Sequence, residues 1–87
     1  MYRVRMESKQ EGRKKIKRVE SLDKFDTVEA AQAFIDSCIK QQESMCWKAW
    51  GLMVTEKHQD GGKLVVDYNP AIILYAKLTQ SFEIVAA

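Results

Sequence analysis

The residues best equipped for chemistry in this chain are cationic. Arg13, Lys14, Lys15, Lys17 and Arg18 put five positive side chains into six positions around Ile16, and Arg3 and Arg5 precede them. Guanidinium forks match phosphate geometry, and ammonium groups act as compact point charges. Such a set suits a polyanion, and a nucleic-acid backbone above all. Each phosphate neutralised on duplex DNA would add about −0.9 to the slope of log K against log salt. No aromatic residue falls between positions 3 and 24, so the run offers no stacking platform for unpaired bases. No helix-turn-helix, zinc-finger or RRM signature accompanies it. The reading is backbone contact, with DNA and RNA undistinguished. A solvated strand face, its cations discouraging edge-to-edge aggregation, is the competing account.

Other reactive side chains do not assemble in sequence. Cys38 and Cys46 are eight apart and His58 is the sole histidine, whereas a structural zinc site usually takes four such ligands. A cysteine nucleophile needs a lowered pKa and a base, and His58 lies twelve positions beyond Cys46 on a different element. Asp23, Asp26, Glu56, Asp60 and Asp67 form no paired-carboxylate pattern. Gly61-Gly62 leads into no phosphate-loop signature. The expectation is a non-enzyme without metal, cofactor or small-molecule substrate.

Apolar side chains carry the second reading. Large aromatics anchor interfaces, and they also fill small cores. From Tyr68 to Ala87 only Lys77 and Glu83 are charged, which is more apolar surface than one helix needs to hide. A homodimer or a docked protein would cover it, unless the segment is the centre of the core. This alternative is a protein–protein interaction module or inhibitor acting through Trp47, Tyr75 and Phe82, with the basic hairpin offered to an acidic partner.

These groups need elements to position them. Tyr2, Val4 and Met6 alternate with Arg3, Arg5 and Glu7, the period of a half-buried strand. Gly12 supplies a turn, and Lys14–Leu22 reads as a second strand. With Glu11-Gly12 as a two-residue loop, Val4 would face Val19 and Arg5 would face Arg18; the three-residue gap between Ile16 and Val19 then asks for a bulge or a longer loop. Val28, Ala31, Phe34, Ile35, Cys38 and Ile39 stripe a helix over Asp26–Glu43, capped by Asp26 with Glu29, or by Thr27. "DGG" between Trp47–Gln59 and Lys63–Tyr68 signals a hairpin, with Trp50 on its first arm and Trp47 either starting that strand or ending the loop before it. Residues 70–80 fit either a helix opened by Asn69 and Pro70 or an alternating strand; the helix is preferred, with a terminal strand after it.

The start of the helix, "FDTVEAAQAFI", resembles the hairpin-to-helix junction of many small proteins, phage-encoded inhibitors of host defence among them. That resemblance implies only that a chain of this size works by occupying a surface on something larger.

Totals set the frame. Eighty-seven residues make one domain, 1–87, with a small core. The net charge of +2 hides an asymmetry: residues 1–24 carry nine cations and four acids, and residues 25–87 carry five cations and eight acids. The opening Tyr2-Arg3-Val4 lacks the apolar core of a signal peptide. The longest uncharged late run, "YNPAIILYA", is nine residues, where a span needs about 20. A cytoplasmic protein with no membrane partner is expected. The fold class that follows is α+β, an antiparallel sheet of four to five strands with one amphipathic helix on one face.

Overall fold

Period-2 and period-3.6 segments sort in space as their patterns require. The computed structural model describes residues 1–87 as five strands and one helix: β1 (Tyr2–Gln10), β2 (Lys17–Glu20), α1 (Val28–Trp50), β3 (Met53–Asp60), β4 (Lys63–Pro70) and β5 (Leu78–Ala86). All neighbours pair antiparallel, in the order β2-β1-β5-β4-β3. The α+β architecture is that expected. No helix is long and apolar enough to cross a membrane.

Alternation decides which side of the sheet is sheltered. Val4, Leu64, Val66, Tyr68 and Phe82 face α1, whose Ala31, Ile35, Ile39 and Cys46 close the core over them. A polar network also lies on this side. The Tyr68 hydroxyl donates to Gln80 Oε1 at 2.8 Å, and Gln80 Nε2 donates to Ser8 Oγ and Gln42 Oε1 at 3.3 and 3.2 Å. Buried polar atoms joined this way avoid the cost of going unpaired.

Thr27, rather than Asp26, caps α1, its side chain accepting from the Ala30 N–H at 3.1 Å. The helix overruns the expected end at Glu43 because nothing in "MCWKAW" breaks it before Gly51. Cys46 and Trp50, seven and eleven residues beyond Ile39, extend its stripe. Trp47 and Trp50 therefore belong to the last helical turn and not to a strand. Gly51 ends the helix at φ 74°, donating its N–H to Trp47 O at 2.8 Å.

The β1–β2 register also differs from the two-residue-loop expectation. The connection runs from Glu11 to Ile16, and Arg5 faces Glu20, Met6 faces Val19 and Glu7 faces Arg18. The longer loop spares Arg5 the like-charged Arg18 opposite, which would cost stability. No helix forms over 70–80. Asn69 spends its side chain on Val54 O, residues 71–77 form a turn-rich connection, and β5 starts at Leu78. Pairing with both β1 and β4 places β5 inside the sheet, and two ladders outweigh a local helix signal.

Candidate functional site

The structure divides the cations that sequence grouped. Arg5 and Arg18 lie on the uncovered sheet face and are already neutralised. Arg5 bridges Glu20 at 3.1 Å and Glu83 at 3.8 Å, and Arg18 bridges Glu7 at 3.1 Å. Arg3 shares that face, opposite Val85, with its Nε buried and unpartnered. Lys17 pairs with Ser8 and points to the helix side. Arg13, Lys14 and Lys15 lie in the β1–β2 connection, exposed and in no ion pair. The seven do not form one basic surface. Glu7, Glu20, Glu56, Asp60, Asp67 and Glu83 interleave with cations across the same open face.

A different grouping appears at one end of the strands. The helix end, the 71–77 connection and the β1–β2 connection meet at one pole. Trp50 stacks on Tyr75 with ring centroids 6.4 Å apart, Ala71 N–H donates to Leu52 O at 3.0 Å, and Glu11 N–H donates to Lys77 O at 2.8 Å. In residues 11–16, 47–52 and 71–77 the charges are Arg13, Lys14, Lys15, Lys48 and Lys77 against Glu11, five minus one or +4. At the other pole residues 21–31 hold Lys24 against Asp23, Asp26 and Glu29, one minus three or −2. This end-to-end difference cuts across the sequence asymmetry, since Lys48 and Lys77 come from residues 25–87 and Asp23 from residues 1–24.

Apolar surface sits on the positive pole. Ile73 is 97% and Leu74 88% exposed, with Leu52 at 63% beside them and Trp47 also exposed. Of the three aromatic residues expected at a partner surface, Trp47 and Tyr75 belong to this pole. Phe82 does not; at 1% exposure it is core, because its place in β5 turns it under α1. Sequence pointed to the uncharged run but missed Leu52, Ile73 and Leu74. The signal was there: a stretch that fits a helix and a strand equally well and that neither element claims.

From mid-strand toward the negative pole an apolar groove of about 310 Å³ opens between α1 and β2, with Asp23 at its polar end and Lys17 two residues from Val19 on the same side of β2. It exists because α1 packs on β1, β3, β4 and β5 but does not reach β2. Met6 and Phe82 floor it, Phe34 and Cys38 form the helix wall, and Val19 and Leu22 form the other. Burial raises the Cys38 thiol pKa above its usual value. No three His, Cys, Asp or Glu side chains converge as a metal set. The chain matches no protein-family model, no curated protein and no solved structure.

Proposed function

We propose that this is a non-catalytic binding module that occupies a surface on another protein, an adaptor or inhibitor seating its positive pole on ground that is both acidic and apolar. One observation carries the reading: Ile73 and Leu74, almost wholly exposed, share a connection with Lys77, which pairs with no carboxylate, and the Glu11 N–H bond to Lys77 O brings the Arg13–Lys15 connection to the same end of the sheet. Aliphatic side chains held in water cost free energy that a partner's apolar surface would recover. The aromatic pair Trp50 and Tyr75 stiffens the base of that wedge.

A nucleic-acid backbone satisfies cations but gives Ile73 and Leu74 nothing. Arg5 and Arg18 would first have to leave Glu20, Glu83 and Glu7. Backbone contact is the second reading, and Arg13, Lys14 and Lys15 favour it because they are exposed and unpaired.

Capture from the source cell with and without nuclease separates the two. The expected result is a protein partner that survives nuclease and is lost with Ile73→Asp/Leu74→Asp. Loss of the partner on nuclease treatment, or its retention by the double variant, overturns the reading.

A further inference from the structure

We infer that a second copy of this chain is one partner of the positive pole, and that copies associate head to tail, the Ile73–Leu74 wedge of one entering the α1–β2 groove of the next. This rests on the reading of the pole as a protein-docking surface and goes further by naming the surface it meets.

Two features that are otherwise unexplained fit each other. One end of the sheet carries exposed aliphatic side chains in connections of net positive charge; the groove beside β2 is apolar and reaches Asp23 at the other end. An apolar cavity of about 150 Å³ holds a benzene ring, so 310 Å³ has room for the side chains of Ile73 and Leu74. The groove offers them Met6, Val19, Phe34 and Phe82 as contacts. Leu22, 95% exposed at the rim, would gain cover from the incoming loop. Charge points the same way. Lys77 and the Arg13–Lys15 loop flank the wedge, and Asp23, which forms no ion pair, lines the groove.

Polarity also selects the geometry. Two positive poles repel, so a two-fold contact of wedge on wedge is disfavoured, whereas +4 against −2 is attractive. A contact between two different surfaces is heterologous and leaves a free wedge at one end and a free groove at the other. Assembly then continues past the dimer or closes into a ring. With two inserted side chains at its centre the contact belongs among small, transient interfaces.

Sedimentation equilibrium across a concentration series reads this directly. The weight-average mass of the full chain should climb from the single-chain 10.0 kDa past that of a dimer as concentration approaches about 1 mM, where even a millimolar Kd fills roughly 40% of the sites. Added salt should lower it. Ile73→Asp/Leu74→Asp, which removes the wedge at exposed loop positions, should stay at one chain. Val19→Arg, which closes the groove, should do the same. Leu22→Arg repeats the groove test at a side chain outside every strand ladder, should Val19→Arg fail to fold. Mixing a wedge variant with a groove variant restores one intact wedge and one intact groove, so the mixture should form a one-to-one dimer and nothing larger. A monomeric wild type throughout the series overturns the inference, as does a mixture that fails to pair or a wedge variant that associates as the wild type does. If the wild type stays monomeric while the wedge variant loses its cellular protein partner, the docking function stands and self-association falls.

Discussion

Arg5 stands directly opposite Glu20 on the β1–β2 ladder, with its Nη2 3.1 Å from Glu20 Oε1 and its Nε 3.2 Å from the same oxygen. One step along, Glu7 faces Arg18 in the same relation. Opposite charges thus alternate across a strand pair that the run of cations alone would have made repulsive.

The Arg5–Glu20 pair should nevertheless contribute little to stability. Both side chains are about half exposed, and pairs of that kind are worth roughly 0.2–1 kcal/mol. A double-mutant cycle on Arg5→Ala and Glu20→Ala, followed by urea unfolding, should give a coupling in that range that shrinks as salt is added. A coupling of several kcal/mol would mean that β2 is held mainly by charge.

Tyr68 should matter more. Tyr68→Phe leaves Gln80 Oε1 without the donor it has at 2.8 Å in the buried network, a loss of about 1–3 kcal/mol. Urea unfolding should show a lower midpoint with an unchanged m-value.

That difference should also depend on pH. Burial above all, and then Cys46, Glu43 and Cys38 nearby, hold the Tyr68 hydroxyl proton well beyond the usual phenol range. The folded state then keeps a proton that the unfolded state gives up. The associated stability is complete below a pH of about 10 and declines above it. Unfolding curves of wild type and Tyr68→Phe should therefore converge as pH rises past that point, and a gap that stays constant would place the hydroxyl in contact with water.

Gly51 should resist substitution for a reason unrelated to space. A Cβ there meets nothing within 4 Å, yet φ 74° and ψ −134° lie where side chains rarely go. Gly51→Ala should cost about 1–3 kcal/mol. Gly62→Ala, in equally open space and without a positive φ, should stay within about 0.5 kcal/mol. Equal effects of the two substitutions on thermal unfolding would refute a backbone origin.

What sequence made legible follows from how local each signal is. The α1 stripe and the "DGG" turn need only neighbours in the chain, and both form as read. The end of the helix, the β1–β2 register and the start of β5 are set by partners far away in sequence. Trp50 stays helical because it continues a stripe, and Leu78 is a strand residue because Gln10 and Tyr68 flank it. Function suffered most from this. Counting cations groups Arg5 and Arg18 with the rest, and the structure pairs them with Glu20 and Glu7, since a cross-strand register cannot be seen in composition. Phe82 is core for the same reason, its burial depending on which face of a central strand it occupies.

The salt dependence of DNA binding tests how much of the basic run is free. Were all seven cations to meet phosphates, a slope near −6 would follow at about −0.9 per contact. Only Arg13, Lys14 and Lys15 combine exposure in the β1–β2 connection with the absence of an ion pair and freedom from a strand ladder, and three contacts correspond to about −2.7. Retention on random duplex DNA should accordingly be weak, with a slope no steeper than that figure. Arg5→Ala and Arg18→Ala should leave it unchanged, whereas Lys14→Ala should flatten it by about one contact. A slope near −6 would require Arg5 and Arg18 to abandon their carboxylates on binding, and would return the uncovered sheet face to the role first read from the cations.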